Sequence, residues 1–138
     1  MPSATLSPQA APVAAGLERV LLVDDDPVLL RSLSGILRRH FHLTSAVGPQ
    51  EALARLQSDG PFAVVISDYW MVPTNGLELL AHFRRLHPET VCILLTGDAT
   101  LTAPAGLFCM LEKPCSRDAL RTAVAAALAE SRNMAAAR

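Results

Sequence analysis

Apolar residues fall into two alternating rhythms along this chain. Short, dense runs rich in Val, Ile and Leu lie at residues 19–23, 62–67, 91–95 and 108–111. Runs this short and this β-branched predict strands buried on both faces, as in a parallel sheet. Between them, apolar positions recur at helical spacing. Leu29, Leu30, Leu33, Ile36 and Leu37 predict a helix that starts at Pro27 behind an Asp26 cap and ends near His40. Ala52, Leu53 and Leu56 mark a second helix over 49–57, and Leu77, Leu79, Leu80, Phe83 and Leu86 a third that stops at His87-Pro88. Leu120, Val124, Ala127 and Leu128 mark a last helix from Asp118 to about Ser131. His42 to Val47 is more polar and reads as an edge strand. One connection breaks the rhythm. Residues 99–107 contain Pro104 and Gly106 with few periodic positions, so at most one or two turns of helix fit. Five strands alternating with helices predict a doubly wound α/β domain with a parallel sheet and a shortened or irregular fourth crossover.

Residues 1–16 are Pro-, Ala-, Ser- and Gln-rich, without charge or periodicity, and read as a disordered leader. The domain is expected over 17–131, with a frayed Ala-rich tail over 132–138. The chain is 51% hydrophobic and only 4% aromatic, so its core is aliphatic. A net charge of −1 argues against a nucleic-acid surface. No apolar run approaches the roughly 18 residues of a membrane span, and no secretory signal is present, so a cytoplasmic protein is expected. Cys92, Cys109 and Cys115 are odd in number and read as reduced, mostly buried thiols. His40 and His42 flank a phenylalanine at a helix end and do not read as a metal pair.

The chemistry collects where the strands end. Asp24, Asp25 and Asp26 follow the first strand, Asp68 ends the third, Thr96 the fourth, and Lys113 follows the fifth. In a parallel sheet these groups share one edge, the one at which open α/β folds bind ligands. Asp26 reads as the helix cap. The other carboxylates repel unless a cation joins them or some become protonated. Mg²⁺ suits one or two carboxylates plus a phosphate oxygen. With Lys113 as a second positive point and Thr96 as a hydroxyl donor, the set fits phosphoryl transfer to a carboxylate, with Asp68 as nucleophile.

Five stretches in this order carry a family resemblance. They are Leu21-Leu22-Val23-Asp24-Asp25-Asp26-Pro27, Val65-Ile66-Ser67-Asp68-Tyr69-Trp70-Met71, Asn75-Gly76-Leu77-Glu78-Leu79-Leu80, Leu94-Leu95-Thr96-Gly97 and Lys113-Pro114. Over about 18–131 the chain resembles the receiver domain of two-component response regulators. The resemblance implies a flavodoxin-like fold and a signalling protein rather than an enzyme. It implies Asp68 as acceptor of a phosphoryl group from a histidine kinase or phosphotransfer protein. It implies Mg²⁺ held by Asp24, Asp25, Asp68 and the backbone carbonyl of Trp70, with Asp25 a direct ligand. Thr96 becomes the switch hydroxyl and Lys113 the partner of the acyl phosphate, with a cis Lys113-Pro114 bond.

The chain departs from the family in four places. Pro73 stands one step late after Met71-Val72. Trp70 is bulky and is expected to shield the acyl phosphate from water. Met110 replaces the usual aromatic switch residue, and the fourth crossover is short. The expected role is a stand-alone module that docks on a separate effector, or an intermediate or sink in a phosphorelay, with oligomeric state open. The alternatives are a degenerate receiver that only binds a partner, and a haloacid-dehalogenase-like phosphatase suggested by Asp24-x-Asp26.

Overall fold

The computed structural model describes residues 18–98 and 100–137; the leader read over 1–16 lies outside them. The elements are β1 (Arg19–Asp24), α1 (Pro27–Leu37), β2 (His42–Val47), α2 (Gly48–Asp59), β3 (Val64–Asp68), α3 (Gly76–Leu86), β4 (Val91–Thr96), β5 (Cys109–Glu112) and α4 (Arg117–Ala136). The five strands form one sheet in the order β2-β1-β3-β4-β5, and every neighbouring pair is parallel. The doubly wound reading therefore holds, and the polar strand β2 does lie at an edge. The order reverses at β1 and β3, the two central strands that end in Asp24 and Asp68.

Alternation along the strands builds two cores. Val20, Leu22, Val64, Ile66, Ile93 and Leu95 face α1 and α4, where Leu30, Leu33, Leu37, Leu120, Val124 and Leu128 cover them. Leu21, Val23, Val65, Cys92 and Leu94 face α2 and α3, where Ala52, Leu56, Leu79, Leu80 and Phe83 cover them. Each large side chain buried in this way stabilises the fold by about 1.5–3 kcal/mol before entropy costs. Both faces being covered is why β1, β3 and β4 read as unbroken apolar runs rather than alternating ones.

Two helix ends differ from the sequence reading, and the irregular fourth crossover agrees with it. α1 ends at Leu37, and Arg38 to His40 form a turn rather than a last helical turn. α4 does not stop near Ser131 and fray; it continues to Ala136. Ala is the best helix former, Met134 packs against the first core, and Arg132 donates two hydrogen bonds to Glu18, at 3.1 and 3.0 Å. The connection between β4 and β5 carries no helix among its described residues. It is an irregular strap, held down by Leu101 and Leu107 against the second core.

Candidate functional site

The parallel register brings the ends of β1, β3 and β4 to one edge, and the side chains that end them are buried. Asp24 is 1% exposed, Asp68 8% and Thr96 3%. Lys113, just past β5, reaches across. Its Nζ donates to Asp68 Oδ1 at 2.8 Å and lies 3.7 Å from Asp24 Oδ2. One ammonium is thus shared by two carboxylates. Lys113 is placed by its own backbone, whose N–H donates to the Thr96 carbonyl at 2.8 Å. The Lys113-Pro114 peptide that follows is cis, as the resemblance implied.

The first acidic triplet divides its work. Asp26 caps α1, accepting from the N–H groups of Val28 and Leu29, while its own N–H donates to Asp24 Oδ1 at 2.9 Å. Asp24 Oδ2 is buried and has no hydrogen-bond partner. Burial pushes the Asp24 pKa up; the Asp26 N–H opposes this, the Asp68 charge adds to it and Lys113 opposes it. Asp25 is exposed and sits beside Gly48, where a Cβ would come 3.0 Å from Asp25 Oδ1. Gly48 also has φ +85°, so glycine serves twice there, turning β2 directly into α2 and leaving room for Asp25.

Two supports behind Asp68 were not read from the sequence. The Ser67 hydroxyl donates to the Asp68 carbonyl at 2.9 Å. Gly76 opens α3 so close to β3 that a Cβ would lie 2.2 Å from the Asp68 carbonyl oxygen. The sequence marks Gly76 only as part of a turn; its use as a close-approach residue needs the packing of α3 against β3. Asn75 caps α3 and shares a reciprocal capping box with Glu78, at 3.0 and 3.2 Å.

The remaining predicted residues lie around this centre. The Thr96 hydroxyl accepts the Asp98 N–H at 3.0 Å. Trp70 is 67% exposed and stacks edge-on against Tyr69, with ring centres 4.8 Å apart. Met110 pairs with Leu94 in the β4–β5 register and packs into the second core, on the same face of the sheet as Thr96. Among the described residues, no three His, Cys, Asp or Glu side chains are gathered into a ready-made metal cage. The orphaned, buried Asp24 Oδ2 beside Asp68 nevertheless suits a hard cation, which takes oxygen donors and needs only one or two carboxylates. His40 stacks edge-on against Phe41 and joins no such centre.

A model of the response regulator receiver domain matches residues 20–125, and the chain belongs to that family. It is 34% identical over 118 residues to the transcriptional regulatory protein GlrR of Escherichia coli (strain K12), covering 81% of this chain and 26% of that protein. The chain thus spans about a quarter of that relative's length. Among solved structures it resembles a chain of the adenylate cyclase from Rhodopirellula baltica, with TM-score 0.81, 32% identity, and coverage of 86% of this chain and 93% of that one. It also resembles the response regulator protein TrrA of Thermotoga maritima, solved in complex with Mg²⁺ and beryllium fluoride. There the TM-score is 0.72, with 26% identity and coverage of 80% and 98%. Receivers are modules of two-component signalling, and the phosphatase alternative falls with this assignment: Asp26, which completed its motif, is used as a helix cap. No helix among the described residues is long and apolar enough to cross a membrane.

Proposed function

We propose that Asp68 accepts a phosphoryl group from the phosphohistidine of a histidine kinase or phosphotransfer protein. The observation that carries this reading is the Lys113 ammonium, held 2.8 Å from Asp68 Oδ1 and 3.7 Å from a buried, unpartnered Asp24 oxygen. Lys113 engages Oδ1 and leaves Asp68 Oδ2 as the attacking atom. Oδ2 forms the new bond to phosphorus as the P–N bond breaks, and the electron pair leaves with the imidazole nitrogen. Lys113 then holds the acyl phosphate, and the Thr96 hydroxyl turns from the Asp98 N–H to donate to a phosphoryl oxygen. These contacts absorb charge on the transferring group's oxygens, where such reactions gain most of their acceleration.

Asp24, Asp25, Asp68 and the Trp70 carbonyl are the groups that would hold Mg²⁺. When bound, the ion supplies charge neutralisation between the carboxylates and the incoming phosphoryl oxygens. Downstream, the module passes the phosphoryl group on or docks on an effector protein.

The test is incubation with acetyl phosphate and Mg²⁺, read by intact mass, on wild type and Asp68→Asn. Wild type should gain the mass of one phosphoryl group and the variant none. A wild type that gains nothing leaves only the reading of a receiver that binds partners without phosphorylation.

A further inference from the structure

We propose that the cleft between α1 and the edge strand β2 binds a phosphate group, free or as a small phosphomonoester, between Arg31 and Arg38 and over the hydroxyls of Ser34 and Ser45. The cleft shares none of the side chains gathered around Asp68, and the proposal does not depend on Asp68 being the phosphoacceptor.

The sequence of α1 carries one polar stripe on an otherwise apolar helix. Arg31, Ser34 and Arg38 are spaced i, i+3 and i+7, so they share one face with the serine in the middle. That face turns towards β2. The three residues line a cleft of about 250 Å³ with Ser45, Val47 and Leu30. Ser45 pairs with Leu22 in the β1–β2 register, and Leu22 lies on the sheet face that α1 covers. The backbone under the second guanidinium is fixed, because the Arg38 N–H donates to the Ser34 carbonyl at 2.8 Å.

Two observations point to a ligand. Ser34 is only 3% exposed, yet its hydroxyl has no hydrogen-bond partner among the described residues. A serine inside a helix can bond back to the carbonyl of residue i−4, and this one does not. A buried hydroxyl left unpaired is costly to the fold. The charges on either side of it are unbalanced as well. Among the described residues neither Arg31 nor Arg38 is paired with a carboxylate, and no Asp or Glu lines the cleft. Asp26, at the Pro27 end, is engaged in capping α1. Two guanidinium forks and two hydroxyls can all donate, and a tetrahedral oxyanion has enough oxygens to accept from each side. A carboxylate has only two. The carbonyl end of α1 opposes an anion, but that effect is confined to the last turn, and Arg31 lies outside it. The cleft is smaller than the roughly 300–1,000 Å³ of drug-sized ligand sites, so the molecule is compact, with Leu30 and Val47 beside any carbons that it carries.

Amide chemical shifts of the whole chain test this, recorded in chelator without Mg²⁺ so that no metal draws phosphate to the Asp68 edge. The probes are inorganic phosphate and glycerol phosphate, with sodium chloride at matched ionic strength as the control. Both probes should give saturable shifts centred on residues 30–38 and 45–47. Changing Arg31→Ala and Arg38→Ala together should weaken binding about a hundredfold, the loss of two charge-assisted contacts. Arg39→Ala, at an exposed neighbour that lines a different cleft, should leave it unchanged. Ser34→Ala should weaken binding about tenfold while raising the melting temperature, since it also removes the unpaired hydroxyl. A serine with a structural role alone would leave binding where it was. Urea melts establish that each variant is folded. Tighter binding of glycerol phosphate assigns the ester, and equal or tighter binding of phosphate assigns the free ion. Shifts that chloride reproduces, that survive the double arginine change, or that fall only on Asp24, Thr96 and Lys113 overturn the site. Binding that ignores Ser34→Ala overturns the part given to the hydroxyl. Phosphate that binds here while acetyl phosphate leaves Asp68 unmodified supports this site and sinks only the acceptor reading.

Discussion

Replacing Asp24 by Asn should make the metal-free protein more stable at neutral pH. Asp24 is 1% exposed, and its Oδ2 has no hydrogen-bond partner. The nearest cation, Lys113 Nζ, is 3.7 Å away and already bonded to Asp68 at 2.8 Å. The asparagine Oδ1 keeps the Asp26 N–H, and its amide replaces an orphaned, charged acceptor with a neutral donor that can face Asp68. An unsatisfied buried acceptor costs about 1–3 kcal/mol. The expected gain is of that order, or about 4–12 °C in Tm for a domain of this size. The pH dependence has a definite sign. Burial raises the Asp24 pKa above its ordinary 3.8, so the folded state holds this proton more tightly than the unfolded chain does. Stability from this group is full below the ordinary aspartate range and is lost as pH rises through the elevated folded pKa. The Asn variant lacks that loss, so its advantage should grow across that window and level off above it. Urea melts of both proteins in chelator, from about pH 4 to about pH 8, measure this. Adding Mg²⁺ should stabilise wild type by mass action and the variant much less. An Asn variant that is no more stable at neutral pH, or whose advantage is flat with pH, would refute the reasoning.

Three further outcomes follow from the packing. Gly76→Ala places a methyl group 2.2 Å from the Asp68 carbonyl oxygen, so it should destabilise by about 1–3 kcal/mol and slow phosphoryl uptake from acetyl phosphate, measured by melts and by intact mass. Gly35→Ala on α1 meets nothing within 4 Å, so thermal melts should show a gain of about 0.5–1 kcal/mol from helix propensity alone. Trp70→Ala should speed phosphate release from labelled protein if the exposed indole shields the acyl phosphate, and an unchanged rate counts against that role.

The order of elements, the edge position of β2 and the meeting of Asp24, Asp68, Thr96 and Lys113 were legible because each depends on local signals. These are β-branched runs, helical spacing and a polar group at each strand tip. What was not legible depends on distance between elements. Gly76 looks like any turn glycine until α3 is laid across the Asp68 carbonyl. The continuation of α4 to Ala136 is supported by Met134 packing on the first core and by Glu18, more than a hundred residues away, bonding Arg132. Composition alone made that Ala-rich segment look like a fraying end. The irregular crossover was visible in Pro104 and Gly106, but what packs against it was not, since the approach of Arg84 to Gly106 depends on how α3 lies beside that connection.

The charge of the site and the segment after β4 bear on one another. Two carboxylates, Asp24 and Asp68, share a single ammonium, and one of their oxygens is buried without a hydrogen-bond partner. Such a centre is under-neutralised as it stands, which is unfavourable for folding and favourable for recruiting a divalent cation and then a phosphoryl group. Among the described residues, the Thr96 hydroxyl at the same edge accepts one hydrogen bond, from the Asp98 N–H. Under the proposed function, turning that hydroxyl to a phosphoryl oxygen breaks its bond to the Asp98 N–H, so the charge imbalance at the acid pair and the first residues after β4 are coupled through one side chain.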